Sequence, residues 1–276
     1  MDTLDVHTLL QTPTVELHDV CCRGLPVEPA EDEFTSDLRL VFPYRGVFVR
    51  HVGDDQAVAE PNQILFFNAG ERYRISHPVP GGDACLSLGI SEALLRELTP
   101  PALLRGDAGF VFAQQRLRID PRAQVLVALL RHSTQRNIAE TLEAEGLTLT
   151  LVMRALGPRT AHTPASTPAR RRLVDRAKVV LASDLARRWT LAEIAAEVGH
   201  SPVYLTQVFK QVEGLPLYRY QLRLRLARAL DLLPQYDDLT TLGLDLGFAS
   251  HSHFTTAFSQ VYGSSPSEFR QSIRQR

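Results

Sequence analysis

The last hundred residues contain a segment that occurs twice, and this repeat restricts the fold more than any other feature of the chain. Ile194-Ala195, Gly199 and Ser201 recur as Leu242-Gly243, Gly247 and Ser250. The later positions of the first copy, Leu205, Phe209, Gly214 and Pro216, recur as Phe254, Phe258, Gly263 and Pro266. The interval is 48 residues up to the glycine and 49 in the following helix, so the second copy has one extra residue in its turn. Such a repeat predicts two supersecondary units of the same kind.

Each copy has the signals of two helices joined by a sharp turn. Thr190 and Glu193 form a capping box that starts a helix. Gly199 ends that helix, because glycine tolerates the left-handed conformation of a tight turn. Ser201 caps the next helix, and Pro202 takes its first position, where no N–H is needed. The second copy has the same glycine and serine. The sequence therefore predicts two helix-turn-helix units in tandem.

A further helix is predicted between the two copies. Residues 218–233 have an apolar face and four arginines, Arg219, Arg223, Arg225 and Arg228. At ~1.5 Å per residue this helix spans roughly 24 Å, which approaches the ~34 Å between successive major-groove faces of a DNA duplex. Two interpretations of the arginines stay open. They contact phosphates, or they pair with acids such as Asp231 or Asp245 and hold the two units together.

Charge is divided unevenly along the chain. Residues 1–169 carry 15 Lys and Arg against 21 Asp and Glu, whereas residues 170–276 carry 15 against 10. A basic module joined to an acidic one fits a nucleic-acid-binding unit attached to another domain. Residues 157–169 contain three prolines among Thr, Ser and Ala and predict a linker between the two.

The N-terminal half is β-rich in pattern. Short runs of Val, Ile, Leu, Phe and Tyr between residues 14 and 90 alternate with turn formers, which predicts a sandwich or small barrel. A short helix is expected over residues 91–98 with Ser91 as its cap. A helix starting at Pro121 and a second over about Leu147–Leu156 follow. The fold class is therefore α+β, with a β-rich domain over 1–120, a helical dimerisation segment over 121–156, the linker over 157–169 and an all-α domain over 170–276.

Targeting signals are missing from the sequence as it is given. The N-terminus has no basic region followed by an apolar run, and no stretch approaches the ~20 apolar residues of a membrane span. The three cysteines, Cys21, Cys22 and Cys85, are too few for a disulfide framework. We expect a cytoplasmic protein without a membrane partner.

The second helix-turn-helix copy resembles the DNA-binding domain of the AraC/XylS family of bacterial transcription regulators. Eight positions carry the resemblance: Gly247, Phe248, Phe254, Phe258, Gly263, Pro266, Phe269 and Arg270. The resemblance covers about residues 170–276. The β-rich half is similar, more weakly, to the cupin-like sensor half of the same family. The resemblance implies a DNA-binding regulator with a linker helix between two reading helices.

The resemblance also implies which side chains contact double-stranded DNA. Base contacts are implied for Val203, Thr206 and Gln207 in the first unit and for His251, Ser252, Thr255 and Thr256 in the second. Phosphate contacts suit Arg188, Ser201 and Lys210, and Arg223 and Ser250 complete the predicted set. Gln207 can pair with adenine through two hydrogen bonds, and Val203 can meet a thymine methyl. Neutral Thr256 and Ser259 stand where the family commonly has Arg and Lys, so we expect the first unit to read sequence more strongly.

The signal received by the N-terminal half is less defined. Candidate metal ligands are Cys22, His77 and Cys85, since thiolates and imidazoles suit a soft or borderline metal and low-pKa thiols suit redox sensing. The alternative is that the cysteines are small buried hydrophobic residues. A small organic effector is the third option, and the aromatic residues that could line its pocket are Phe42, Tyr44, Phe48, Phe66, Phe67 and Tyr73. No cofactor is specified by the sequence.

Two functions remain in competition at this stage. The first is a sequence-specific transcription regulator that forms a homodimer, responds to a small-molecule, metal or redox effector, and contacts RNA polymerase if it is an activator. The alternative is a cupin-type metalloenzyme with a helical interaction tail. The separated histidines His18, His51 and His77 lack the close His-x-His pair of a cupin metal centre, so we expect no enzyme.

Overall fold

The computed structural model describes residues 4–24, 32–106, 109–136, 138–157 and 167–275. Most of the predicted linker, residues 158–166, therefore lies outside the described residues. Among the described residues, no helix is both long and apolar enough to cross a membrane.

Within the described ranges of the N-terminal half, nine strands form two antiparallel sheets. The strands are β1 (Leu4–Gln11), β2 (Val15–Cys22), β3 (Arg39–Arg45), β4 (Phe48–Val52), β5 (Asp55–Ala59), β6 (Gln63–Phe67), β7 (Arg74–Ser76), β8 (Asp83–Ile90) and β9 (Arg116–Arg118). The large sheet has the order β1-β2-β8-β3-β6-β9 and the small sheet the order β5-β4-β7. In the part of the chain that the structure describes, neither sheet closes on itself, so of the two predicted arrangements the strands form the sandwich and not a closed barrel.

Alternation along the strands gives the large sheet two buried faces. One face packs against the small sheet through an apolar cluster that includes Val41, Phe48 and Leu65. The opposite face packs against helices through a larger cluster that includes Phe42 and Phe66. The N-terminal half is thus three layers: small sheet, large sheet and helices.

Helix α1 (Glu92–Leu98), helix α2 (Pro121–Gln135) and helix α3 (Thr141–Leu156) form the helical layer, and a 3₁₀ turn (Pro101–Leu103) follows α1. Two local predictions need correction. The Ser91 side chain makes no cap hydrogen bond to α1. Helix α3 begins six residues earlier than predicted and contains Gly146 within it, because its apolar face extends toward the N-terminus to Ala144.

Helix α2 is shared by two hydrophobic cores. Val127 and Leu130 pack against the large sheet, whereas Ala128 belongs to a core of the C-terminal half. Helix α3 leaves apolar side chains in solvent instead, with Leu142 78% and Met153 59% exposed. Within the predicted dimerisation segment, α3 is therefore the helix that offers exposed apolar side chains to a partner. The dimer itself stays a prediction.

Over residues 167–275 the structure describes seven helices: α4 (Pro168–Ser183), α5 (Leu191–Glu197), α6 (Pro202–Glu213), α7 (Leu217–Leu232), α8 (Leu239–Asp245), α9 (His251–Tyr262) and α10 (Pro266–Gln275). Helices α4 to α6 and the start of α7 surround one core. The rest of α7 and helices α8 to α10 surround a second core. Helix α7 therefore joins two similar helical units, as the repeat predicts.

Candidate DNA-binding site and N-terminal cavity

The start of the first helix-turn-helix unit is fixed by hydrogen bonds at its cap. The Glu193 N–H donates to Thr190 Oγ1 at 3.2 Å, and the Thr190 N–H donates to the Glu193 carboxylate at 2.7 Å. The hydroxyl and backbone N–H of Thr190, together with Arg187, lower the pKa of Glu193 to about 2. The predicted capping box is confirmed.

The turn and the second helix of this unit also follow the prediction. Gly199 has a left-handed backbone, with φ of 71°. Ser201 Oγ accepts the Tyr204 N–H at 3.3 Å, and Pro202 takes the first position of α6. Since Leu205 and Phe209 are buried, the opposite face of α6 is turned outward.

The outward face of α6 carries the residues that were predicted to read DNA. Val203 is 68% exposed although it is apolar. Thr206, Gln207 and Lys210 are exposed as well. The Thr206 hydroxyl donates to the Pro202 carbonyl at 2.9 Å, so its bonding capacity is partly used within the helix. These four side chains form what we call the α6 reading face.

Tyr204 was missed by the sequence reasoning. Its ring is 40% exposed and lies 5.2 Å from the His200 ring, at the edge of the α6 reading face. Its position in the sequence, directly after Val203, could have indicated that it lies beside the predicted DNA contacts. An exposed phenol beside a reading face can reach a phosphate or sugar oxygen.

The second unit has the same construction with different chemistry. Gly247 is left-handed with φ of 80°, and Ser250 Oγ accepts the His253 N–H at 3.1 Å. The exposed side chains of α9 are His251, Ser252, His253, Thr256 and Gln260. Thr255 is half-buried, and its hydroxyl lies 3.3 Å from His251 Nε2. Helix α9 contains no Lys or Arg.

Among the arginines of α7, Arg225 binds backbone from both units. Its guanidinium donates to the carbonyl of Leu185 at 2.6 Å and to that of Arg187 at 2.9 Å, both in the loop between α4 and α5 of the first unit. It also donates to the carbonyl of Gly247, in the turn of the second unit, at 3.0 Å. Arg225 therefore fixes the two units relative to each other, which is the structural interpretation of this residue.

Of the other arginines of α7, Arg219 is exposed, whereas Arg223 and Arg228 are half-buried. Arg228 pairs with Asp231, whereas Asp245 accepts the Tyr236 hydroxyl at 2.9 Å. Burial and the positive charge of Arg118 lower the pKa of Arg223, which is half-buried toward the N-terminal half. Arg223 was predicted to contact DNA, and this contact stays a prediction. Arg188, also predicted, is exposed.

Buried charges connect the first unit to the N-terminal half. Lys178 of α4 is 1% exposed and pairs with Glu213, the last residue of α6, at 2.7 Å. Glu60, between β5 and β6, lies 3.9 Å from the same ammonium and accepts the Tyr220 hydroxyl. Burial raises the pKa of Glu60. Burial acts in the same direction on Glu213, but the charge and hydrogen bond of Lys178 together with the charges of Arg116 and Arg118 outweigh it, and the pKa of Glu213 is lowered.

The second unit meets the N-terminal half mainly through helix α2. Ala128 of α2 lies in the core that contains Phe258, and the Tyr262 hydroxyl donates to Gln124 Oε1 at 3.2 Å. His132 of α2 lies beside α7, with Nε2 3.2 Å from the Leu230 carbonyl. Burial and the Arg131 charge lower the pKa of His132 to about 4.

An open cavity of about 600 Å³ lies between the two sheets. Three of the predicted aromatic residues, Phe48, Phe67 and Tyr73, line it. The prediction was wrong for Phe42 and Phe66, because they point from the other face of the large sheet into the core with the helices. Tyr44 lies in that same core.

The structure brings two of the three candidate metal ligands together at this cavity. Cys22 Sγ lies 3.4 Å from His77 Nε2. The third ligand-type group beside them is Asp83, whose Oδ2 lies 2.7 Å from His77 Nδ1. Cys85 also lines the cavity but is buried in the apolar cluster between the sheets. Burial raises the pKa of the Cys22 thiol and raises that of Cys85 further, which does not favour a reactive thiolate.

Known proteins resemble the C-terminal half of the chain. The family model described as "Helix-turn-helix domain" matches residues 194–272. The HTH-type transcriptional activator RhaR of Klebsiella pneumoniae is 28% identical over 155 residues, which are 55% of this chain and 55% of that protein. The activator RhaS of Escherichia fergusonii is 44% identical over 68 residues, 24% of each chain. The chain spans about half the length, or less, of these curated relatives.

A solved structure of an AraC-type DNA-binding domain-containing regulator from Chromobacterium violaceum covers 40% of this chain and 98% of its own, with 29% identity and a TM-score of 0.37. The tandem units, their glycine turns and capped reading helices, and the sequence similarity to RhaR and RhaS agree with one another. Residues 194–272 of this chain match a helix-turn-helix domain, and the chain is similar to HTH-type transcriptional activators.

Proposed function

We propose that the whole chain is a sequence-specific DNA-binding transcription regulator. The observation that carries the proposal is the α6 reading face, which stands free in solvent at the start of a helix whose other face is buried. Helix-turn-helix proteins place the N-terminal residues of such a helix against base edges in the major groove. The similarity to RhaR and RhaS favours a regulator over the cupin-type enzyme.

The two units would meet DNA in different ways. In the first, Gln207 and Val203 would contact base edges, and Lys210 and Arg188 would contact phosphates. In the second, His251, Ser252, Thr255 and Thr256 offer hydrogen bonds without a fixed positive charge, and Ser201 and Ser250 cap the two helices beside the backbone. Sequence discrimination would therefore come mainly from the first unit.

Control would come from the N-terminal half. Both helix-turn-helix units touch it, the first through the pair of Lys178 with Glu60 and the second through α2. An effector that moves the large sheet would therefore reach both units. A homodimer formed through the exposed apolar side chains of α3 would bring two such domains to one site and raise their effective concentration. If the chain activates transcription, RNA polymerase would be a further partner.

The test is selection of duplexes from fragmented genomic DNA by the full chain, followed by affinity measurements at several salt concentrations. We expect enrichment of a site that spans two adjacent major grooves, with affinity that falls steeply as salt rises. Gln207→Ala should relax one base position by about 1–3 kcal/mol. Gln235→Ala is the matched control, because Gln235 is exposed in the turn after α7. Binding without salt dependence, or selection without a common sequence, would contradict the proposal.

A further inference from the structure

A cluster of polar side chains closes one end of the cavity between the sheets. Cys22 is the last residue of β2, Asp83 is the first residue of β8, and the two are directly paired in the large sheet. His77 directly follows β7 of the small sheet. The Cys22 sulfur, a His77 ring nitrogen and an Asp83 oxygen lie within 4.8 Å of one another. The cluster therefore joins the two sheets.

The spacing of sulfur and nitrogen suits one tetrahedral ion. Zinc–sulfur bonds of about 2.3 Å and zinc–nitrogen bonds of about 2.0 Å at a tetrahedral angle place the two ligand atoms about 3.5 Å apart. The distance between Cys22 Sγ and His77 Nε2 is 3.4 Å. The two atoms can therefore share an ion with little movement of either strand.

Asp83 holds the imidazole in the orientation that this requires. Its Oδ2 lies 2.7 Å from His77 Nδ1. When Nδ1 donates its hydrogen to this carboxylate, Nε2 keeps its lone pair, and that lone pair faces Cys22. Histidines that bind metals commonly donate their other ring N–H to a carboxylate or a carbonyl.

The charges around the cluster favour a cation. The charged groups that act most on Cys22 are the carboxylates of Asp83 and Glu33, and Glu33 also interacts with His77. The hydroxyl of Ser76, next to His77, is already hydrogen-bonded to His51, with 2.8 Å between Ser76 Oγ and His51 Nε2. A divalent ion would therefore enter an environment whose charge is negative.

Close backbone packing holds the ligands in place. Gly82 has a left-handed backbone, with φ of 73°, and a Cβ on it would lie 2.2 Å from the Cys22 carbonyl oxygen. A Cβ on Gly46 would lie 2.2 Å from the Gly82 carbonyl oxygen. Only glycine permits this approach of three backbone segments. The positions of Cys22 and Asp83 are thus fixed before any ion binds.

We propose that Cys22 and His77 bind one divalent cation of the zinc class, that Asp83 orients His77, and that the remaining coordination positions open into the cavity. Cys85, which the sequence suggested as a ligand, is not part of this site because it is buried among Val41 and Phe48. The open positions leave room for water or for a small ligand that enters the cavity. The proposal is independent of DNA binding.

Cobalt titration of the chelator-treated full chain tests the proposal. We expect one equivalent of Co²⁺ to bind with the near-ultraviolet absorption of a cobalt–thiolate bond, and Zn²⁺ to displace it. Cys22→Ser should remove that absorption, and His77→Asn should abolish tight binding. Asp83→Asn should keep the thiolate absorption but weaken affinity by about 10–100-fold, as loss of an orienting carboxylate does.

Cys21→Ser is the matched control. Cys21 is the neighbouring cysteine, but it points to the opposite face of the sheet, where its sulfur lies 3.8 Å from the Tyr44 hydroxyl. This variant should bind cobalt like the wild type. Failure of the folded wild type to bind, or a thiolate absorption that survives Cys22→Ser, would overturn the proposal. Loss of the absorption in Cys85→Ser, with Cys22→Ser unaffected, would overturn the ligand assignment. Circular dichroism confirms that each variant is folded.

Discussion

The two helix-turn-helix units share one construction but are attached to the N-terminal half through buried ions of opposite sign. In the first unit, Lys178 lies between the carboxylates of Glu213 and Glu60. In the second unit, Asp231 of α7 pairs with Arg131 of α2, beside the apolar contact of α2 with the second core. Paired charges are sensitive to the loss of one partner, whereas apolar contacts weaken gradually with lost area. The unit with the basic reading face is thus the one whose buried central ion is a cation.

The largest difference between the units should appear when Lys178 is removed. Lys178→Ala leaves the carboxylates of Glu60 and Glu213 buried together, and we expect a loss of about 3–5 kcal/mol in the free energy of unfolding. Urea denaturation measures it. The control is Arg96→Ala, which breaks the exposed pair with Glu92 and should cost less than about 1 kcal/mol. A similar small cost for Lys178→Ala would mean that charge does not hold the first unit.

Acid should act on the α2–α7 junction beside the second unit. The pKa of His132 is about 4 in the folded chain and near 6.5 when the chain is unfolded. The unfolded chain therefore takes up the proton first, and stability is lost as pH falls from about 6.5 to about 4. His132 accounts for up to about 3 kcal/mol of that loss.

His132→Asn should flatten the fall in unfolding free energy over this pH window relative to the wild type, whatever its effect at neutral pH. His7→Asn is the control, because His7 is exposed on the edge strand β1. It should leave the slope unchanged. Parallel slopes for the wild type and His132→Asn would show that this histidine is not buried in a neutral form.

The turn glycines provide a matched pair of substitutions. Both are left-handed, but a Cβ on Gly199 meets nothing within 4 Å, whereas a Cβ on Gly247 would lie 2.3 Å from the Ala186 carbonyl oxygen. Gly199→Ala should lower the free energy of unfolding by about 1–2 kcal/mol, because alanine disfavours the left-handed conformation. Gly247→Ala should lower the free energy of unfolding by more than Gly199→Ala does, because the backbone around Ala186 has to move. Equal costs in thermal unfolding would show that the second turn is not held tightly against the first unit.

The smallest expected effect concerns the charges of the reading helices. Lys210→Ala should weaken DNA binding uniformly across sequences and reduce the salt slope by about 1. Thr256→Lys should increase that slope by about 1, because it adds a cation to a helix that has none. Unchanged slopes in both variants would mean that neither position lies near phosphate, and the asymmetry between the units would have to come from base contacts alone.

The elements that the sequence predicted correctly are those specified by local chemistry. The capping box at Thr190, the serine caps and the turn glycines depend on side chains within three residues of one another, so the pattern contains them. Strand β1 was missed because it is mostly exposed and its partner β2 lies beyond a turn. Strand β5 begins within the turn residues Asp54-Asp55 and is specified by its pairing with β4 rather than by a local apolar run.

The sites divide in the same way. The exposure of Gln207 follows from helical spacing alone, and so could be predicted. The approach of His77 to Cys22 depends on how two sheets stack. Asp83 rather than Cys85 completes the group because β2 and β8 pair Cys22 with Asp83, a register that the sequence does not state. The burial of Arg223 depends on the docking of two domains, which no local pattern contains.

Arg225 has a consequence for the DNA that this chain can recognise. Because one guanidinium binds carbonyl groups on both sides of the joint, the two reading helices keep a set angular phase as well as a set distance. A duplex turns by about 34° for each base pair inserted between the two contacted segments. The protein cannot follow that rotation by bending between its units. We expect its sites to tolerate substitutions between the contacted segments far better than insertions or deletions there.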